Sequence, residues 1–133
     1  LGISKVLELG NILAQRDWGY APEYVEGIWK TLQIKKPDDF ILATGESHSV
    51  KEFAEKACEI AGISTKCLKV TKKNLRPFDV NYLKGDYSKA KKRLGWNPKT
   101  KFNGLVKIMV EEDIHRLEQR LKVEYLPWDA GNS

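Results

Sequence analysis

Two short segments of this 133-residue sequence carry an arginine in a setting that suits an anionic ligand. The first reads Arg16-Asp17-Trp18-Gly19-Tyr20-Ala21 and leads into a helical pattern that begins near Pro22. A helix that starts just after an arginine places a cation beside the positive end of the helix dipole, which favours a phosphate ligand. The alternative is an exposed ion pair between Arg16 and Asp17, which the residues alone leave open.

The second segment contains Arg76, Pro77 and Asp79. The planar guanidinium of Arg76 can donate to two phosphate oxygens at once. The Asp79 carboxylate only accepts, so it suits sugar hydroxyls or the N–H groups of a base. A routine local salt bridge between Arg76 and Asp79 is the alternative at this spacing.

Two further patterns imitate functional sites. Tyr87 and Lys91 have the Tyr-x-x-x-Lys spacing of short-chain dehydrogenases, in which the lysine lowers the pKa of the tyrosine. They follow Gly85-Asp86 at a predicted helix start, without an upstream strand that carries the required Ser or Thr, so Tyr87 is interpreted as structural. The run from Lys89 to Arg93 resembles a nucleic-acid patch, but its cations spread around a helix and are interpreted as a solvated face.

Several classes of site are not expected from this sequence. It contains no glycine-rich dinucleotide turn, no P-loop and no nucleophile elbow, so neither a catalytic constellation nor a cofactor site is assigned. Cys58 and Cys67 are too few for a disulfide framework and are expected to be free thiols. Two distant histidines make a zinc site improbable. The net charge of +5 suits nucleic acid, anionic lipid or a phosphorylated ligand without choosing among them.

The elements that must position these residues alternate between strand and helix patterns. An apolar run, Phe40 to Thr44, is typical of a buried strand in a parallel sheet. Ser49 and Glu52 form a capping-box pair that begins a helix ending at Gly62. The remaining patterns predict strands over 5–10, 13–18 and 65–70 and a loop over 74–86 with an extended piece near 80–83. They also predict a helix that begins near Pro22, one that runs from a cap at Asp86 or Ser88 through Leu94, and one that begins near Phe102.

Taken in chain order, these segments resemble GDP-mannose 4,6-dehydratases of the extended short-chain dehydrogenase family. The resembling segments are Leu9-Gly10-Asn11, Arg16-Asp17-Trp18-Gly19, Tyr24-Val25-Glu26, Asp38 to Glu46, Ser49 to Phe53, Arg76 to Val80, Gly85 to Ala90, Leu94-Gly95-Trp96 and the helix from Phe102. Each motif is weak singly, but their shared order over residues 6 to 115 makes the resemblance specific.

The resemblance implies an α/β fragment, the C-terminal part of an extended short-chain dehydrogenase. Residues 1–123 would form a partial nucleotide-sugar-binding region, of which about 20–45 would pack on a Rossmann sheet outside this sequence, and 124–133 a loosely ordered tail. The full-length enzyme would use NADP to convert GDP-mannose to GDP-4-keto-6-deoxymannose, a step of GDP-fucose biosynthesis. Because Leu1 is not a Met and no glycine-rich turn is present, we expect a fragment that is inactive alone.

The resemblance also assigns site residues. Arg16 and Arg76 would hold the diphosphate, Asp79 would accept hydrogen bonds from the ribose or the guanine, and Asn11 is a further candidate. Three departures keep a GDP-4-keto-6-deoxymannose reductase, or another nucleotide-sugar epimerase or dehydratase, as an alternative. Tyr20 stands where the family more often has His, Asp79 where dehydratases usually have Glu, and the stretch between Gly62 and Arg76 is short.

The expected partner is GDP-mannose or GDP, rather than nucleic acid or a membrane, and the expected location is the cytoplasm. A basic nucleotide- or nucleic-acid-binding module and a ligand-free assembly domain are the alternatives from other classes. A buried-type strand at 40–44 without its neighbouring strands would be an adhesive edge. We therefore expect the isolated chain to pair this strand with a second copy, as a homo-oligomer, or to hide it by rearrangement.

Overall fold

The computed structural model describes residues 4–74 and 79–121, which form a mixed α/β structure. Within these ranges the chain forms four short strands and four helices, with 3-10 turns at Thr65–Cys67 and Lys72–Asn74. The strands and helices are β1 (Leu7–Leu9), β2 (Gln15–Arg16), α1 (Ala21–Leu32), β3 (His48–Ser49), α2 (Val50–Ile60), β4 (Leu68–Val70), α3 (Ser88–Leu94) and α4 (Phe102–Leu121). The predicted α/β class is confirmed.

The strands form two separate two-stranded sheets. β1 pairs with β4 in parallel, with Leu7 opposite Leu68, and the amide of Thr71 extends the ladder by donating to Leu9 O at 2.8 Å. β2 pairs with β3 in antiparallel fashion, with Arg16 opposite His48. The predicted strand over 65–70 is only half right, because its first residues form a 3-10 turn.

The ends of α2 follow the predicted capping chemistry. The Ser49 hydroxyl accepts from the Glu52 amide at 3.1 Å, and the Glu52 carboxylate accepts from the Ser49 amide at 2.6 Å. This reciprocal pair satisfies two amides that the helix cannot bond internally. The hydrogen bond from the Ser49 amide also lowers the pKa of Glu52. Gly62 then ends the helix at a φ of 67°, a conformation that a side chain would strain.

Trp96 anchors the end of α3 to the start of α1. Gly95 takes the left-handed conformation just after α3, and Trp96 turns inward to leave only 1% of its surface exposed. Its indole Nε1 donates to Glu23 O at 2.7 Å, and its ring meets Tyr24 and Tyr87 edge-on. The predicted structural role of the Gly95-Trp96 turn is confirmed.

An aromatic cluster connects the β2 region to α2 and α4. The Trp18 ring lies 5.2 Å from Phe53 and 6.1 Å from Phe102, and His48 stacks on Phe102 at 3.8 Å. Leu105 and Val106 of α4 are buried beside it. This contact fixes the segment that follows Arg16, since Trp18 is only two residues further along the chain.

The prediction of a buried strand over 40–44 is wrong for this chain. These residues have no strand partner among the described residues, and Ile41 exposes 59% of its surface although Ala43 and Thr44 are buried. A parallel strand needs a neighbour to take up its backbone groups, and the described sheets offer none at this position. The apolar side chains of α1 are equally uncovered: Val25, Ile28, Trp29 and Leu32 are all exposed.

Candidate functional site

β2 holds Arg16 between two other stretches of chain. On one side β2 pairs with β3. On the other, Gln15 donates its amide to Asn81 O at 2.8 Å and accepts at its carbonyl from the Leu83 amide at 3.1 Å. The extended piece predicted near 80–83 is thus present as a backbone neighbour of β2, and it brings Asp79 to the side of Arg16.

Arg16, Asp79 and Asn11 form one hydrogen-bonded cluster. Arg16 Nη2 donates to Asp79 Oδ1 at 2.6 Å, and Asn11 Nδ2 donates to Asp79 Oδ2 at 3.2 Å. Arg16 Nη1 donates to the carbonyl oxygens of Gln15 and Val80. The Arg16 and Asp79 side chains are 24% and 19% exposed, so the cluster is partly shielded yet reachable from solvent.

Asn11 is held by its own backbone turn. Its Oδ1 accepts from the Leu13 amide at 3.2 Å, an arrangement in which an asparagine side chain closes a turn two residues on. The amide nitrogen is therefore the part of Asn11 that faces Asp79. Three of the four candidate residues predicted from the sequence thus lie together, whereas Arg76 falls in 75–78, outside the described residues.

The structure tests the local ion pair that was the alternative for Arg16, but not the one that was the alternative for Arg76. Arg16 does not pair with Asp17, because its ionic partner is Asp79, 63 positions away in the sequence. The local pairing of Arg76 with Asp79 stays untested, since Arg76 is not described.

Asp17 is a structural residue that sequence reasoning missed. Its Oδ1 accepts from the Thr44 amide at 2.8 Å and from the Thr44 hydroxyl at 2.6 Å, while Oδ2 accepts from the amides of Gly45 at 2.9 Å and Gly85 at 3.2 Å. One carboxylate thereby joins three distant stretches of chain. Gly85 has no room for a side chain, because a Cβ there would lie 2.3 Å from Ala43 Cβ. Nothing local in the sequence signals these long-range partners.

Glu23 has a comparable role in the first turn of α1. Its carboxylate accepts from the Lys99 amide at 3.0 Å and from the Thr100 amide at 3.1 Å, just before α4. Burial raises the pKa of the neighbouring Tyr24 to about 12, and the negative charges of Asp17 and Glu23 add to the effect. Tyr24 is therefore a neutral phenol near pH 7 and not a base.

The cluster can bind a ligand through polar groups that are held in fixed positions. A guanidinium has five N–H donors. Within the described residues, three of those of Arg16 are used, which leaves its Nε–H and one Nη2–H for a ligand oxygen. Asp79 has lone pairs beyond those that it gives Arg16 and Asn11, so it can also accept from a hydroxyl. Because Asp79 offsets the charge of Arg16, a phosphate must compete with it for the guanidinium.

Residues that imitate other sites have ordinary structural partners. Tyr87 lies at the N-terminal cap of α3, and its hydroxyl donates to Asn97 Oδ1 at 3.4 Å. Lys89 and Arg93 both pair with Asp38, at 2.6 and 2.5 Å, so the basic run is partly neutralised. Within 4–74 and 79–121, no three His, Cys, Asp or Glu residues lie together as a metal would require. Across the same ranges, no helix combines the length and the apolar character needed to cross a bilayer.

Comparison with known proteins connects this chain to one enzyme family. The family model described as GDP-mannose 4,6 dehydratase matches residues 1–109. GDP-mannose 4,6 dehydratase 1 of Arabidopsis thaliana is 50% identical over 124 residues, which cover 92% of this chain and 34% of that protein. The Dictyostelium discoideum GDP-mannose 4,6 dehydratase is 44% identical over 135 residues, with 88% of this chain and 38% of that protein covered. The chain spans about a third of the length of these curated relatives.

A solved structure gives the same fold at low sequence identity. The dTDP-glucose 4,6-dehydratase of Bacillus anthracis, in complex with NAD, superposes with a TM-score of 0.77 over 86% of this chain and 36% of its own. At 19% identity this similarity concerns the fold alone. It agrees with an α/β fragment of an extended short-chain dehydrogenase.

Proposed function

Since this chain belongs to the GDP-mannose 4,6-dehydratase family, we propose that it is the part of such an enzyme that holds the nucleotide-sugar. The ligand is GDP-mannose, gripped at its diphosphate and its guanosine. The complete enzyme would convert GDP-mannose to GDP-4-keto-6-deoxymannose in the cytoplasm. This chain would supply binding energy and orientation to that reaction, and none of its described residues is assigned a bond-making step.

The observation that carries the proposal is the meeting of Arg16, Asp79 and Asn11. These residues come from three separate stretches of sequence, yet Arg16 Nη2 and Asn11 Nδ2 lie 2.6 and 3.2 Å from the two oxygens of one carboxylate. A partly shielded group of one cation, one anion and one amide suits a ligand that carries both phosphate and hydroxyl groups. A simple surface ion pair would not need the third member.

Each side chain then has a distinct part in binding. Arg16 donates its two remaining N–H groups to oxygens of the diphosphate, as a planar guanidinium can. Asp79 accepts from a ribose hydroxyl or from the N–H groups of guanine. A carboxylate as short as that of Asp can bridge the last gap through a water molecule. Asn11 holds Asp79 in the orientation that this requires.

Arg76 is proposed as the second diphosphate ligand. It precedes Asp79 by three positions in the sequence, and Asp79 touches Arg16. A second guanidinium would add positive charge toward the diphosphate, because the charge of Arg16 is partly offset by Asp79.

In the proposed complete enzyme, NADP would bind to residues outside this sequence. The pyrophosphate of a dinucleotide needs a glycine-rich turn between a strand and a helix. Here β1 is followed by Gly10-Asn11 and then by β2, so the described residues do not fit that cofactor. We therefore assign no residue of this chain to NADP.

A ligand panel tests the proposed function. Calorimetry and amide NMR of the chain with GDP-mannose, GDP, UDP-glucose and a single-stranded oligonucleotide should show binding of both guanosine ligands, with UDP-glucose at least about tenfold weaker. NMR is included because part of a cleft binds weakly. Tight oligonucleotide binding without any response to GDP would replace this function with nucleic-acid binding.

We also propose that the uncovered apolar face of α1 packs against other protein, which in the isolated chain is a second copy. Trp29 on this face is 58% exposed, and Ile28 and Ile41 are similarly uncovered. An exposed apolar patch of this kind favours association.

A charge on that face should weaken the self-association. We expect Trp29→Glu to shift the chain toward monomer in light scattering at increasing concentration. Asn103→Glu, which adds the same charge at an exposed position of α4, should not. A wild-type chain that is monomeric at every concentration would contradict the homo-oligomer.

A further inference from the structure

Cys58 and Cys67 lie in direct contact although they are nine positions apart. Cys58 is in the last turns of α2, and Cys67 ends the 3-10 turn that precedes β4. The chain reverses at Gly62, where the Ile63 amide donates to Cys58 O at 3.0 Å. This reversal brings the two Sγ atoms to 3.8 Å, with both residues as free thiols. A disulfide requires about 2.05 Å between the sulfurs, so a small side-chain movement would bond them.

The cysteine pair borders a cavity that a small molecule can enter. Both cysteines line a cavity of about 1090 Å³ between β1, α2 and α4, which is partly open to solvent. Its walls are mainly apolar, with Phe53, Leu105 and Met109 among them. Cys58 itself is only 4% exposed, whereas Cys67 is half-buried. A small neutral oxidant therefore meets Cys67 first.

We propose that Cys58 and Cys67 are a modification site, at which hydrogen peroxide converts the thiol pair into a reversible intrachain disulfide. The Cys67 sulfur attacks one peroxide oxygen, the O–O bond breaks, and a sulfenic acid and one water form. The Cys58 sulfur then attacks the Cys67 sulfur, the S–S bond forms, and the sulfenic oxygen leaves as a second water. Two electrons pass from the two sulfurs to the peroxide, and both thiol protons end in water.

The different exposure of the two cysteines decides which one is oxidised first and which one resolves the sulfenic acid. The half-buried Cys67 is the thiol that peroxide oxidises, and the buried Cys58 is the one that resolves the sulfenic acid. Burial raises the pKa of the Cys58 thiol, and its hydrogen bond with Cys67 adds to this. Cys58 is therefore mainly protonated and reacts slowly with the oxidant, and in the second step its proton leaves with the sulfenic oxygen as water. Contact with the resolving thiol protects Cys67 from further oxidation.

The disulfide would stabilise the β1–β4 strand pair, which lies next to the proposed binding cluster. Cys67 is bonded directly to Leu68, the first residue of β4, which pairs with Leu7 of β1. β1 leads through Gly10 to Asn11, which donates to Asp79. Joining Cys67 to Cys58 would tie β4 to α2 and restrict the unfolded chain by a closed loop. This consequence does not depend on which ligand the cluster binds.

Mass spectrometry of the oxidised chain tests the proposal directly. Trypsin cuts after Lys56, Lys66 and Lys69, so each cysteine falls in its own peptide, 57–66 or 67–69. After treatment with hydrogen peroxide, an unreduced digest should contain these peptides joined, lighter than their sum by two hydrogen atoms and separated by dithiothreitol. The chain should run at the same size with and without reductant, which excludes links between copies. Oxidation should raise the Tm by about 5 °C or more.

Cys67→Ser is the matched control. It removes one half-buried sulfur conservatively and leaves Met109, the single methionine, to report unrelated oxidation. Its Tm should not rise with peroxide. Sulfinic acid at Cys67, disulfides between copies, or two unlinked peptides after complete oxidation would each overturn the proposal. So would an equal rise in Tm in the Cys67→Ser chain.

Discussion

Asp17→Ala is expected to lower the free energy of unfolding by about 3 kcal/mol or more, because one carboxylate satisfies four donors. The amides of Thr44, Gly45 and Gly85 and the Thr44 hydroxyl all point at its two oxygens. Without the carboxylate these partly buried donors lose their acceptors, and the turns near 44 and 85 lose their connection to β2. The loss is large because charged acceptors make the stronger hydrogen bonds.

Urea unfolding followed by circular dichroism measures this effect. Asp39→Ala is the matched control, since Asp39 is exposed and its removal changes the net charge equally. Asp17→Asn should have an intermediate effect, because an amide keeps one acceptor oxygen but turns N–H groups toward some of the donors. Equal stability of the Asp17→Ala and Asp39→Ala chains would show that Asp17 does not join these segments.

Arg16→Ala is expected to weaken GDP binding by about 10- to 100-fold, which corresponds to one charge-assisted contact with a diphosphate. The substitution removes the two guanidinium donors that the proposal assigns to the diphosphate. It also frees Asp79, whose uncompensated charge then repels the ligand. Arg16→Lys should recover only part of the affinity, because an ammonium keeps the charge but lacks the planar fork.

Calorimetry with GDP measures this loss, and Arg93→Ala controls for net charge. Arg93 is an exposed arginine that pairs with Asp38 and is not a member of the cluster. Its removal should change GDP affinity by no more than about twofold, as expected for a surface ion pair. If Arg93→Ala weakens binding as much as Arg16→Ala, the chain attracts GDP only through its overall positive charge.

The sequence predicted those features whose chemistry is local. The capping box at Ser49 and Glu52, the left-handed Gly62 and Gly95, and the starts of α1 and α4 depend on residues within one or two helical turns. Such features can be recognised in a sequence without any knowledge of distant partners. The ordered set of short motifs also identified the family correctly, since residues 1–109 match its model.

Features that depend on distant partners were predicted less well. The apolar run at 40–44 has the composition of a buried strand, but a strand also needs neighbours, and the described residues supply none. The sequence leaves open an ion pair of Arg16 with its neighbour Asp17, whereas the actual partner is Asp79, which lies opposite because residues 80–83 run beside β2. The sequence predicts no structural role for Asp17 or Glu23, because no local pattern shows which backbone amides a carboxylate will meet.

The side-chain NMR signal of Arg16 tests the central claim most directly. In a ¹⁵N-labelled chain, the Nε–H resonance missing from the Arg16→Lys variant identifies Arg16. We predict that this resonance shifts progressively as GDP or GDP-mannose is added and shifts much less when guanosine is added, because guanosine lacks the phosphates and touches only Asp79. A resonance that remains fixed while GDP saturates other signals of the chain would place the diphosphate elsewhere and contradict the proposed cleft.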